Sequence, residues 1–100
     1  MTVLYHPDFL KDIRRFSDDY LSIQPILHVR FEQEVDDALA EIKAGPLHAG
    51  HLLKAETATV KNFRRRNLRT FPFFVLYGQA NDLLIFGSLL PSRSDPLTWL

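Results

Sequence analysis

The sequence predicts an α+β domain in the order β-α-α-β-β-β, a helical hairpin packed on a small, mostly antiparallel sheet. Three observations lead there. Apolar residues recur at helical spacing from Phe9 to Ile42, the pattern turns toward alternation beyond Leu53, and proline or Gly-Pro steps stand at the junctions. One hundred residues, 46% hydrophobic and 24% charged, suit a single globular domain and leave no room for two.

Residues 2–5, Thr-Val-Leu-Tyr, read as a strand that stops at His6-Pro7. Pro7 is placed to open a helix, because its fixed φ suits the first turn and its missing N–H would have no partner there. Phe9, Ile13, Phe16 and Tyr20 follow at spacings of 4, 3 and 4, with Asp12, Arg15, Asp18 and Asp19 between them, which is one amphipathic helix. Ser22 to Pro25 interrupts it, with Ser22 as a candidate cap and Pro25 in the first turn of a second helix that runs to about Ala44. Leu27, Phe31, Val35, Ala38, Leu39 and Ile42 line one face of that helix, and Gly45-Pro46 stops it. Two helices joined by a short turn make a hairpin.

Pro46 to Leu53 reads as a loop. Thr57, Thr59, Val60 and Phe63 then favour a strand that runs into a group of arginines, Phe71 to Tyr77 forms a second strand, and Leu83 to Leu90 a third. Gly78 to Asp82 is a link of hairpin length, so the last two strands should be antiparallel neighbours. Both are apolar on both faces, as befits central strands covered by helices on one side. Pro91 and Pro96 end regular pairing and leave a short tail to Leu100.

Composition narrows the chemistry. The absence of cysteine excludes disulfides, thiolate metal sites and a cysteine nucleophile, and agrees with a reducing compartment. The longest apolar run, Phe71 to Tyr77, is far short of the roughly 20 residues that span a bilayer, and the start of the chain lacks the basic and apolar segments of a signal peptide. A cytoplasmic protein without a membrane partner is expected. The formal charge is zero, yet residues 1–50 hold 5 basic and 9 acidic side chains while residues 51–100 hold 7 and 3. Neutrality here is a cancellation between an acidic half and a basic one.

Lys61, Arg64, Arg65, Arg66 and Arg69 are the strongest local feature, with no acid between Thr57 and Asn81. On a strand, alternation sends Arg64 and Arg66 to one face and Arg65 to the other. Such a run can be a solvated guard beside an aggregation-prone strand or a surface for an anion or acidic partner. His48 and His51 are spaced for a metal, but a zinc site needs three or four protein ligands, and Glu56 is the nearest further ligand in sequence. They read as a polar loop, and no metal or cofactor is expected. His6 and His28 read as structural. The pairs Asp18-Asp19 and Asp36-Asp37 point about 100° apart on a helix and cannot serve one substrate atom. No G-x-S-x-G, P-loop or H-E-x-x-H pattern occurs. Phe71, Phe73 and Phe74, beside Val75 and Leu76, read as core and not as platforms for bases.

The element order and several stretches resemble the RelE/ParE superfamily of toxins from type II toxin–antitoxin pairs. Tyr5-His6-Pro7 is similar to the family's first strand and helix start, and the stretch from Arg30 to Ile42 to its second helix. The segment from Arg65 to Tyr77, a basic strand, then Phe-Pro-aromatic, then a strand ending in tyrosine, resembles its most recognisable part. Arg93-Ser94-Asp95-Pro96 followed by Trp99 is similar to the close of the ParE, or plasmid stabilisation, branch. Where that close often reads H-x-R-R-D-P, Pro91 stands here at the histidine and Ser94 at the second arginine.

The resemblance implies a growth inhibitor neutralised by a cognate antitoxin in a hetero-oligomer, with an acidic segment of the antitoxin laid on the toxin. It makes Arg64, Arg65, Arg69, Arg93 and Trp99 candidates for contact with antitoxin or target. RelE-type members cleave ribosome-bound mRNA, which requires a group to activate the 2′-hydroxyl and another to protonate the leaving oxygen. Arginine stabilises charge but is a poor base, so the resemblance favours a ParE-like, non-catalytic protein with DNA gyrase as the type of target. A ribosome-dependent endoribonuclease and an inactive toxin-derived homologue are the alternatives.

Overall fold

The computed structural model describes residues 1–53 and 61–94. Strand β1 (Thr2–Tyr5) leads into helices α1 (Pro7–Ile23), α2 (Pro25–Ala44) and the one-turn α3 (Pro46–Ala49). Strands β2 (His51–Leu52), β3 (Lys61–Asn67), β4 (Phe73–Ala80) and β5 (Leu83–Pro91) follow. All five strands form one mixed sheet in the order β1-β5-β4-β3-β2. β1 runs parallel to β5, from Thr2 opposite Leu83 to Tyr5 opposite Phe86, and the other three pairings are antiparallel.

Prolines set the helix boundaries. His6 caps α1 with its Nδ1, which accepts the Asp8 N–H at 3.1 Å, and Pro7 takes the first turn. A residue before proline is pushed out of the α region; Gln24, before Pro25, is accordingly extended at φ −153° and ψ 134°. That single residue therefore separates α1 from α2. The hairpin is tied across by Ser17, whose hydroxyl donates to Glu32 Oε2 (2.9 Å) and accepts from His28 Nδ1 (2.7 Å). His28 is thus structural, as expected.

The hairpin covers one face of the sheet. Phe9, Phe31, Val75, Tyr77, Phe86 and Leu89 are buried between the layers. Phe31 meets Phe71 edge to face, with centroids 5.4 Å apart. Burial of each such side chain contributes about 1.5–3 kcal/mol, and this layer is the main source of stability. On the opposite face Phe63, Phe74 and Leu76 form a second, smaller cluster with Leu53 and Leu90. Phe71, Phe73 and Phe74 are all core, as the sequence implies, the first two under the hairpin and Phe74 in the cluster on the far face.

Three expectations are corrected. The stretch from Pro46 to Leu53 is not a loop: Pro46 opens the one-turn α3, and His51 and Leu52 pair with Arg65 and Arg64. The strand expected from Phe71 begins at Phe73, because Pro72 has no N–H to offer a ladder and the Phe73 N–H turns back to the Phe71 carbonyl. The link from Gly78 to Asp82 shrinks to Asn81-Asp82, since Gly78, Gln79 and Ala80 all pair with β5. Asn81 takes φ 55°, a left-handed conformation that asparagine tolerates. The expected strand residues Thr57, Thr59 and Val60 lie outside the described residues.

Candidate functional site

β3 distributes its arginines as alternation requires. Arg64 and Arg66 point to the helical side. The Arg64 Nη1 donates to the Gly50 carbonyl at 3.2 Å, and beside it the Tyr77 hydroxyl donates to the Pro46 carbonyl at 2.6 Å. Desolvation raises the Tyr77 phenol above its ordinary pKa of 10.0, against an opposing pull from Arg64 and Arg66. Gly50 allows this close approach: a β-carbon there would stand 2.8 Å from both the Arg65 carbonyl oxygen and the Tyr77 hydroxyl.

Arg66 and Arg69 both meet a carboxylate within the fold. Both donate to Glu41 of α2, Arg69 at 2.9 Å to Oε1 and Arg66 to Oε2. Two turns earlier on α2, Glu34 Oε1 accepts the backbone N–H groups of Thr70 (2.6 Å) and Phe71 (3.2 Å). The acidic half of the sequence thus folds against the basic half and neutralises part of it. Exposed ion pairs are worth at most ~1 kcal/mol, and Arg69, 75% exposed, belongs to that class; Arg66, at 18%, is more tightly held.

Arg65 sits on the other face. Its guanidinium lies 3.9 Å from the centroid of Phe74, while Nε and Nη2 both donate to Asn67 Oδ1 (3.2 and 3.0 Å) and Nη2 also reaches the Ser92 carbonyl at 3.4 Å. Three anchors on one guanidinium make Arg65 a pre-positioned cation. Ser92 adjoins Arg93, which is exposed on the turn after β5 and lines a groove with Phe16, Tyr20 and Ile23 of α1. Of the five residues singled out from the sequence, the fold therefore brings Arg65 and Arg93 to one turn. It places Arg64 inward and Arg69 on Glu41, and Trp99 lies outside the described residues.

Sequence reasoning missed one neighbour. His51 stands directly opposite Arg65 across the β2–β3 ladder, and residues directly opposed in an antiparallel pair project to the same face. Only the register could have signalled it. Among the described residues no group of three or more His, Asp or Glu is placed to hold a metal ion, and no helix is long and apolar enough to cross a membrane.

A helical hairpin on one face of a five-stranded mixed sheet, with arginines along the β3–β4 pair, is the α+β arrangement that the sequence predicts, and solved structures share it. In particular, the structure matches a chain of the chromosomal ParDE TA system from P. aeruginosa, with a TM-score of 0.65 over 93% of this chain and 97% of that one. The two are 17% identical, so the likeness is one of fold. Neither a family model nor a curated protein matches the sequence.

Proposed function

We propose that this chain is the toxin of a type II toxin–antitoxin pair, a cytoplasmic growth inhibitor held in a hetero-oligomer by a cognate antitoxin and acting without catalysis on a gyrase-like target. The observation that carries the reading is the match of almost the whole chain to a component of a ParDE TA system. The site chemistry supports it. Arg65 and Arg93 are cations suited to recognising carboxylate or phosphate and unsuited to moving protons. Tyr77 is no substitute, because its hydroxyl is committed to the Pro46 carbonyl and burial holds it protonated.

The second reading, a ribosome-dependent mRNA endoribonuclease, is favoured by His51 alone. An imidazole beside an anchored guanidinium is the minimal pair for activating a 2′-hydroxyl next to a bound phosphate. Expression in a bacterium of the wild type, Arg65→Ala/Arg93→Ala and His51→Ala separates the readings. A gyrase-type inhibitor gives a DNA-damage response that the double variant lowers at least tenfold and His51→Ala leaves intact. Transcript cleavage that disappears with His51→Ala assigns the nuclease instead. Unaltered growth with the wild type overturns both and marks an inactive homologue.

A further inference from the structure

The hairpin turns one face to the sheet, and the seam between its helices fixes what lies on the other. Ser17 of α1 donates to Glu32 of α2 at 2.9 Å, so these two positions stand level across the seam. Residues three or four apart on a helix are surface neighbours. Arg14 and Leu21 therefore flank Ser17 along α1, while Val29 and Asp36 flank Glu32 along α2. All four are exposed, Leu21 at 46% and Val29 at 59%, which puts them on the outer side of the seam.

The two helices run antiparallel, so the level of Ser17 and Glu32 also sets Arg14 across from Asp36 and Leu21 across from Val29. Neither Arg14 nor Asp36 has an ion-pair partner within 4 Å among the described residues. Exposed Lys11, a turn before Arg14, adds a second cation on α1. Asp18, the acid a turn after Arg14, stands level with Gln33, an amide and not a carboxylate. The outer face thus carries cations on α1 beside an acid on α2, with an apolar residue of each helix toward the turn.

We infer that this outer face of the hairpin is the interface between two copies of the chain, α1 of each laid against α2 of the other about a two-fold axis parallel to the helices. A two-fold interface has to be complementary to itself. Rotation about such an axis keeps every residue at its level, so Arg14 meets the Asp36 of the second copy and Leu21 meets its Val29, each contact being made twice. A foreign segment of one charge sign would be drawn to one helix and repelled by the other. Helices of 17 and 20 residues present a face about 25 Å long and about 20 Å wide, on the order of 500 Å² per copy. The two copies together reach the ~1,000 Å² that a specific interface needs. This inference is independent of the toxin reading.

Sedimentation equilibrium of the full chain tests it. The wild type should be dimeric at about 100 μM, and the dimer should weaken at high salt, where the ion pairs are screened. Leu21→Glu, Val29→Glu, Arg14→Glu and Asp36→Arg should each weaken it by roughly tenfold or more, with circular dichroism verifying the fold. Leu47→Glu, at an exposed apolar position on α3, should stay within about twofold. Arg14→Glu/Asp36→Arg exchanges the two signs and should bring the dimer back to within about threefold of the wild type, a rescue that damage to folding does not permit. A wild-type chain that stays monomeric overturns the proposal. So does a dimer indifferent to Leu21→Glu and Val29→Glu, which places the contact elsewhere on the surface. A double reversal weaker than either single one overturns the laying of α1 against α2.

Discussion

Gly50 has an ordinary extended φ of −144°, so it is glycine for reasons of space. An added β-carbon meets the hydroxyl and Cε1 of the buried Tyr77 and the Arg65 carbonyl oxygen in the sheet, none of which has room to give. Overpacking against backbone costs about 1–3 kcal/mol, and Gly50→Ala should lower stability by that amount in urea denaturation. Tyr77 itself adds a pH dependence. Burial raises its pKa, and that of Tyr20, above the ordinary value, so folded phenols keep protons that unfolded phenols release. Their contribution is whole below about pH 10 and is lost as pH rises beyond it. Urea midpoints should therefore fall as pH rises above about 10. Tyr77→Phe should flatten that fall while costing about 1 kcal/mol at neutral pH for the lost hydrogen bond to Pro46.

β4 and β5 do not pair in unbroken register. Leu76 faces Ser88 while Tyr77 faces Phe86, so Gly87 is left over as a bulge. Bulges strand backbone groups, and α1 supplies the remedy: Asp12 Oδ2 accepts from the Ser88 hydroxyl (2.6 Å) and from the Leu89 N–H (3.3 Å). One carboxylate thus fastens a helix to the weakest point of the central strand pair. Asp12→Ala leaves that N–H without its partner, a loss of about 1–3 kcal/mol. The Leu89 amide should then exchange with deuterium faster than its neighbours in β5, as NMR would read.

Across the whole molecule, what the sequence made legible is local in origin. Phe9, Ile13, Phe16 and Tyr20 announce α1 through spacing alone, and Pro7, Pro25 and Gly45-Pro46 punctuate the hairpin without reference to distant residues. The illegible parts depend on partners far along the chain. β2 exists because two residues meet β3, and β1 finds β5 in parallel at a separation that no periodicity encodes. The candidate site divides in the same way. Arg65 and Arg93 stood out by residue type, but the commitment of Arg66 and Arg69 to Glu41, the position of His51 and the groove walls from α1 are products of tertiary contact.

The parallel pairing of β1 with β5 also orders events during synthesis. Thr2 to Tyr5 are made first, yet the strand they join ends at Pro91. Until that strand leaves the ribosome, Phe9, Tyr5 and Val3 have no Phe86 or Leu84 to rest on, and long-range closure of this kind is the slow part of folding. The hairpin can form on the nascent chain, but the groove that Arg93 lines with Phe16, Tyr20 and Ile23 needs residues from both α1 and the end of β5. A growing polypeptide therefore completes its sheet, and with it that groove, only once Pro91 and Arg93 have left the ribosome.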